Sequence, residues 1–232
     1  RRSGARHTAT LTPTADENGH YKAGVWVRDS GAGIGTMSFV DPQRGTFAGL
    51  GHSISDADTG ADLTLLSGEI VPVTITGCIR GAAGSPGELR GEFAAAPAGT
   101  VLANDAAGVY GSYTGSCTAP ALPVANLQEV TPGEAELWTT VLGTTAQPYT
   151  IQVERVTMTG SDPNRNLLIR VTDKRLLDAT GGVVQGMSGS PIVQNGRLAA
   201  VLTHVLVNDP SRGYAIFATT MLEKADAVAS SK

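Results

Sequence analysis

Turn-forming residues interrupt this chain at short intervals, and their spacing constrains the fold more than any other feature. The 232 residues include 29 glycines and 12 prolines, while only 16% are charged. Between the turns, short runs alternate apolar and polar residues, as in residues 21–29, which is the period of a half-buried strand. Apolar residues recur at helical spacing only near the end, in residues 219–229. The pattern predicts an all-β fold with a short C-terminal helix.

Predicted strands follow one another along most of the chain, and their spacing is typical of a barrel or a sandwich. Asn195-Gly196 separates the last two strands and is the strongest short hairpin signal in the sequence. Residues 94–115 are rich in alanine and glycine and give no assignment, whereas residues 174–179 predict a single helical turn. We expect strands at residues 21–29, 34–40, 67–81 (two strands bent at Pro72), 134–141, 149–158, 167–171, 191–193 and 198–206.

Three segments are expected: a flexible polar segment (residues 1–20), a first β half (21–125) and a second β half that carries the helix (126–232). The formal charge of −4 and the pI near 5.5 argue against binding to nucleic acid or to an anionic membrane. No run of 18 apolar residues is present, so no transmembrane helix is expected. Cys78 and Cys117 fit neither a metal site nor a disulfide framework; a single disulfide and two unpaired thiols both remain open.

The most specific local motif is Gly186-Met187-Ser188-Gly189-Ser190-Pro191. Glycines on both sides allow the tight turn that exposes a nucleophilic serine, and the N–H groups of Gly186 and Ser188 would form an oxyanion hole. An ordinary Gly/Ser loop is the alternative. The elbow of α/β-hydrolases is not matched, because Ser190 stands in place of its last glycine and only 44 residues follow Ser188.

A nucleophilic serine needs a base, and His52 is the best candidate because it comes directly after a short apolar run. His7 and His20 lie in the polar segment, and His204 lies within a predicted strand, where a buried structural role is expected. The acid that orients the base could be any of several carboxylates, and composition does not separate them. These are Asp56, Asp58 and Asp62 near the histidine, and Asp173 and Asp178 near the serine.

Four long stretches resemble the peptidase domain of the stage IV sporulation protein B family. They are GIGTMSFVDPQRGTFAGLGHSISDADTG, GAAGSPGELRG, VTDKRLLDATGGVVQGMSGSPIVQNGRL and LTHVLVNDPSRGYAIFATTML. The resemblance implies a chymotrypsin-like double β-barrel and a triad of His52 as base, Asp173 as acid and Ser188 as nucleophile. Asp173 precedes the serine by only 15 residues, which places the acid in the second half, whereas chymotrypsin-like enzymes take it from the first.

The same resemblance implies a serine endopeptidase that works through an acyl-enzyme, without cofactor or metal. Members cleave themselves and then clip a membrane-anchored regulator between the membranes of the developing forespore, so an extracytoplasmic location is expected. Members also carry a membrane-spanning or signal segment and a PDZ domain before the peptidase; by that comparison this chain would be a fragment. Two alternatives remain: a latent or non-catalytic module that binds peptides, and a Ser–Lys dyad that uses Lys174.

Substrate contacts are expected beside the nucleophile. If the pocket is built as in chymotrypsin-like enzymes, Gly182 forms its floor, and the absence of a carboxylate there argues against cleavage after lysine or arginine. Thr203, His204 and Val205 belong to a strand on which a peptide substrate could add as an antiparallel neighbour.

Overall fold

The computed structural model describes residue 8 and residues 10–23, 31–56, 59–159 and 162–230. The chain divides into two compact units, residues 1–33 and residues 34–232. In the first unit, β1 (Thr14–Ala15) and β2 (Tyr21–Lys22) form a small antiparallel hairpin. Most of the strand predicted at residues 21–29 lies outside the described residues.

Strands dominate the described part of the second unit. The helices are α1 (Lys174–Thr180) and α2 (Ala218–Ser230). The strands are β3 (Met37–Asp41), β4 (Thr46–Gly49), β5 (Glu69–Ile70), β6 (Val73–Ile79), β7 (Glu88–Phe93), β8 (Gly99–Asp105), β9 (Gly108–Tyr113), β10 (Gly133–Thr139), β11 (Gln147–Val156), β12 (Leu167–Val171), β13 (Pro191–Gln194), β14 (Arg197–Val205) and β15 (Arg212–Phe217).

The last six strands close into an antiparallel barrel in the order β10-β11-β12-β15-β14-β13. Alternate residues of β12, namely Leu167, Ile169 and Val171, are buried in the apolar core, as expected for a small barrel whose interior is filled by side chains. Asn195 and Gly196 connect β13 to β14 with φ angles of 52° and 73°, which are the left-handed values that a tight two-residue hairpin requires. The predicted hairpin is therefore confirmed.

The first half remains open. A five-stranded sheet runs in the order β3-β4-β9-β8-β5, and β6 and β7 form a separate ribbon. The all-β prediction with a C-terminal helix is confirmed, with one half a closed barrel and the other a half-barrel. Residues 94–115, which carried no assignment, supply β8 and β9.

Helix α2 packs where the two halves meet. Met221 and Ala225 of this helix are buried together with Ala48 and Tyr110 of the first half. Two barrel residues, Val201 and Ile216, belong to the same cluster. The helix therefore holds the half-barrel against the barrel.

Cys78 and Cys117 are both free; the first is half-buried on β6 and the second is exposed. Of the two alternatives left open by the sequence, the structure has the unpaired thiols. Within the described residues, no helix is long and apolar enough to cross a membrane.

Candidate active site

Ser188 lies on a tight turn that only glycine allows. Gly186 and Gly189 have φ angles of 95° and 97°, and a Cβ atom on Gly189 would stand 1.9 Å from the Thr36 carbonyl oxygen. The Thr36 N–H donates to the Ser188 carbonyl (2.8 Å), and the Gly189 N–H donates to the Leu202 carbonyl (2.8 Å). The turn is thus anchored to the first half on one side and to β14 on the other.

The N–H groups of Gly186 and Ser188 have no acceptor among the described residues. The N–H groups of Met187 and Ser190, in the same turn, do donate, to the carbonyls of Val184 and Met187. Two free N–H groups one residue apart on a glycine-bearing turn are what an oxyanion hole needs.

The Ser188 hydroxyl donates to the backbone carbonyl of Thr203 at 2.8 Å. It makes no hydrogen bond to His52 in this conformation, although the next residue along β14, His204, lies directly beside the His52 ring. Catalytic hydrogen bonds often tighten only when substrate is bound.

His52 reaches this position because the chain turns sharply after β4. Leu50 and Gly51 both have left-handed φ angles, 67° and 69°, and a Cβ on Gly51 would stand 2.9 Å from the Thr203 side chain. The Nδ1 atom of His52 lies 2.7 Å from the Ser53 carbonyl oxygen. Since a carbonyl only accepts, Nδ1 must carry the proton, and Nε2 keeps the lone pair that a general base requires.

His204 packs against His52, with ring centroids 5.1 Å apart and an interplanar angle of 35°. Burial, together with the neighbouring His52 and Arg165, lowers the pKa of His204 to about 4. Its Nδ1 atom is buried without a hydrogen-bond partner in the described part of the chain. His204 is therefore a neutral imidazole at neutral pH.

Asp173, predicted as the acid of the triad, lies elsewhere. It is the N-cap of α1, and its carboxylate accepts from the Arg175 N–H (2.8 Å), from the Arg175 guanidinium (2.7 Å) and from the Thr150 N–H (3.3 Å). The Arg175 side chain holds the pKa of Asp173 at about 2, against the opposing effect of burial.

The strand register explains this placement of Asp173. Leu168 pairs with Tyr214, and Tyr214 pairs with His204. Asp173 is five residues beyond Leu168, which is about 16 Å of extended chain. The structure therefore brings together His52, Ser188, Thr203 and His204, but not Asp173.

The other candidate acids also have different partners. Asp62 accepts from the hydroxyls of Ser53 and Ser55, and these two bonds lower its pKa. Asp178 pairs with Lys174 at 2.8 Å on the exposed face of α1, so this lysine is engaged on the helix that Asp173 caps.

Asp56 accepts from the backbone and hydroxyl of Thr59, as expected of a turn-forming aspartate, and Asp58 lies outside the described residues. Across the described part of the chain, no carboxylate bonds to His52.

Sequence reasoning missed the residue that holds the loop after His52. The Asn104 side chain accepts from the Ile54 N–H (2.7 Å) and donates to the carbonyls of Ile54 (2.9 Å) and Leu63 (3.0 Å). Asn104 lies in the alanine- and glycine-rich stretch that gave no pattern, and a lone asparagine there carries no motif.

Gly182, the predicted pocket floor, is buried with a φ of 132° against the backbone of Pro210. Thr203 is buried and Val205 is half-buried at the end of β14. No group of three or more histidine, cysteine, aspartate or glutamate residues within the described ranges is placed to hold a metal ion.

The site combines a serine on a glycine turn, a histidine with an available Nε2 lone pair and two N–H groups that have no acceptor among the described residues. Together with the half-barrel and barrel that carry it, this site defines a serine peptidase. The family model of the SpoIVB peptidase S55 matches residues 19–222. The chain belongs to this family and is a serine peptidase with protein substrates.

Solved structures of one protease are similar to this chain. The active form of the Rv3671c protease from M. tuberculosis is 17% identical over 88% of this chain and 93% of that chain, with a TM-score of 0.41. Its inactive form is 16% identical over 61% of this chain and 72% of that chain, also with a TM-score of 0.41. Among curated protein sequences, no significant match was found.

Proposed function

We propose that Ser188 is the nucleophile and His52 the general base of an endopeptidase that cleaves through an acyl-enzyme. The observation that supports this most is that the two side chains contact two consecutive residues of β14. The Ser188 hydroxyl bonds to Thr203, and the His52 ring contacts the ring of His204. One residue comes from each half, as in enzymes whose site lies between two barrels.

The reaction begins when the Ser188 hydroxyl turns from the Thr203 carbonyl toward Nε2 of His52. His52 takes the hydroxyl proton while the oxygen attacks the peptide carbonyl, and the resulting oxyanion accepts from the N–H groups of Gly186 and Ser188. The C–N bond then breaks, and His52 returns the proton to the leaving amine. Water, activated by the same histidine, hydrolyses the ester and regenerates the serine.

In this proposal the Ser53 carbonyl holds the tautomer of His52. A carboxylate would also stabilise the imidazolium that forms during the reaction, and a carbonyl does so less because it carries no net charge. Asp173 was predicted for that role, and its contacts in the structure support a structural one instead.

By family resemblance, we also propose that the enzyme is a sporulation signalling protease. It would act outside the cytoplasm, cleave itself and then clip a membrane-anchored regulator. Cleavage of the purified chain within its own sequence, lost in Ser188→Ala and followed by intact mass, tests the self-cleavage.

Fluorophosphonate labelling tests the nucleophile, with Ser190 as a matched control. Ser190 lies two residues away in the same motif but is fully buried, and its hydroxyl has no hydrogen-bond partner among the described residues. We expect an adduct in the wild type and in Ser190→Ala, and none in Ser188→Ala or His52→Ala. An adduct that persists in Ser188→Ala and disappears in Ser190→Ala would overturn the assignment.

A latent form of the peptidase is a second candidate, favoured by the bond from the Ser188 hydroxyl to Thr203. If this state persists until a partner or substrate docks, the folded chain will label only in the presence of peptide. Labelling rates measured with and without a saturating non-cleavable peptide distinguish the two states.

A further inference from the structure

We propose that this peptidase cleaves after small residues, because Val183 and Val205 fill the space beside Ser188 that the side chain before the scissile bond would enter. The inference rests on the proposed function, since Ser188 locates the pocket. Two elements border the space beside the nucleophile: the segment that precedes Ser188 and the strand whose Thr203 carbonyl accepts from the Ser188 hydroxyl. Here those elements are residues 182–185 and the end of β14.

The floor of this space is closed by backbone atoms. A Cβ on Gly182 would stand 2.2 Å from the Pro210 carbonyl oxygen and 2.9 Å from the Ser211 nitrogen. The Val183 N–H donates to the same Pro210 carbonyl at 2.8 Å. Residues 182 and 183 therefore lie directly on the turn between β14 and β15, which leaves no room below them for a long side chain.

The walls are closed by two valines. Val205 pairs with Gly213 across the ladder between β14 and β15, and a Cβ on Gly213 would stand 3.4 Å from Cγ2 of Val183. Val183 is 2% exposed, and Val205 is partly buried against the barrel core. One branched side chain thus comes from each of the two elements that border the space.

The chemistry of this lining defines the substrate class. A carboxylate in this pocket selects basic residues, an open apolar slot selects aromatic ones, and a constricted pocket selects small ones. The described lining has no carboxylate: Gly182, Val183, Val205 and Gly213 are all apolar. Alanine, serine, glycine or valine before the scissile bond would fit, whereas phenylalanine, lysine or arginine would have to displace backbone.

Peptidyl phosphonates that differ only in this one side chain test the inference. Each phosphonate esterifies Ser188, and the rate is read by intact mass for alanine, valine, leucine, phenylalanine and lysine analogues with the same preceding residues. In the wild type we expect the alanine and valine analogues to react at least about 10-fold faster than the phenylalanine and lysine analogues, as expected for two or more excess methylenes.

Enlarging the pocket should shift this ratio. Val183→Ala and Val205→Ala should each raise the leucine-to-alanine rate ratio by about 10-fold. Val184→Ala is the matched control: Val184 is equally buried, 1% exposed, but its side chain faces Gly81. It should leave the ratio unchanged. Ratios within one variant are insensitive to partial unfolding, because both analogues meet the same folded fraction.

Faster reaction of the wild type with the phenylalanine, leucine or lysine analogue would overturn the inference, as would an equal shift in Val184→Ala. A simple alkyl fluorophosphonate separates this failure from that of the proposed function. If it labels Ser188 while the analogues show the wrong preference, only the specificity is refuted. If it labels no serine in the folded chain, either alone or with the non-cleavable peptide present, the nucleophile assignment fails and the inference fails with it.

Discussion

A single backbone carbonyl determines which nitrogen of His52 is available to take a proton. In triads of the Ser-His-Asp type a carboxylate performs this task, but here the Ser53 oxygen occupies Nδ1 at 2.7 Å. The ring of His52, the proposed base, is therefore oriented by the residue that follows it in the chain. His52 can therefore be held in the orientation that a general base needs, although no carboxylate among the described residues bonds to its ring.

The second imidazole of the site makes folding stability depend on pH. The pKa of His204 is lowered from 6.5 to about 4, first by burial and then by His52 and Arg165, while Asp162 opposes the shift. Between pH 6.5 and 4 the unfolded chain binds a proton at this residue that the folded chain does not. Stability therefore falls as pH falls through this window.

We expect His204 to account for about 2 kcal/mol of stability lost between pH 7 and pH 4.5. His204→Phe keeps the ring contact and removes the titration, so it should lose correspondingly less over the same interval. Urea unfolding of both proteins at the two pH values measures the difference, and other groups cancel. His20→Phe, an exposed histidine in the N-terminal unit, is the control. Equal pH dependence in wild type and His204→Phe would contradict the prediction.

At the scale of elements, the cap of α1 explains why the acid prediction and the structure differ. Asp173 lies just after the end of β12, at a position where a catalytic acid could lie. It also directly precedes the seven residues of α1. An aspartate before a helix accepts from the first-turn N–H groups. Both roles share the same sequence pattern, and only the register of β12 against β15 separates them.

Replacing the cap gives a prediction about stability. Asp173→Ala should destabilise the fold by about 1–2 kcal/mol, while Asp173→Asn should cost less because asparagine also caps helices well. The pKa of Asp173 is lowered to about 2, so its ionic contribution is present above pH 3.8 and is lost as pH falls toward 2. The difference between wild type and Asp173→Asn should shrink over that interval in denaturant titrations.

Turnover of the same variants distinguishes the two roles of Asp173. Asp178→Asn, which removes an exposed carboxylate of the same helix, provides the control. If Asp173→Asn retained its stability but lost turnover by about 10⁴-fold, as in a triad whose acid is removed, Asp173 would act on His52 in the working enzyme.

At the scale of the whole molecule, the sequence predicted the parts whose signals are local. The strand predicted at residues 167–171 has the bounds of β12, and Asn195-Gly196 predicted the hairpin between β13 and β14. Both predictions succeeded because periodicity and turn chemistry act over a few residues. Strands β8 and β9 were missed because alanine and glycine have no strand preference of their own. They are strands because β4 and β5 pair with them. The contact of His52 with His204, 152 positions further along the chain, likewise depends on the assembly of two halves.

In the proposed mechanism the two halves must stay together for catalysis, because His52 belongs to one half and Ser188 to the other. Met221 is fully buried between them, in the cluster that joins Ala48 and Tyr110 to Val201 and Ile216. Removing its side chain leaves a cavity at this junction, and such truncations cost about 2–5 kcal/mol. The lost free energy should weaken the contact between the two halves as much as the folding of either half.

We therefore expect Met221→Ala to lower the free energy of unfolding by about 2–5 kcal/mol and to lose peptidase activity at urea concentrations where the wild type is fully active. Glu223→Ala, an exposed position on the same helix, should change neither. Activity and intrinsic fluorescence, recorded along one urea titration, test this. The contrary outcome is that Met221→Ala keeps its activity up to the urea midpoint of the wild type. In that case His52 and Ser188 remain in register without the buried Met221 side chain, and α2 does not hold the two halves together.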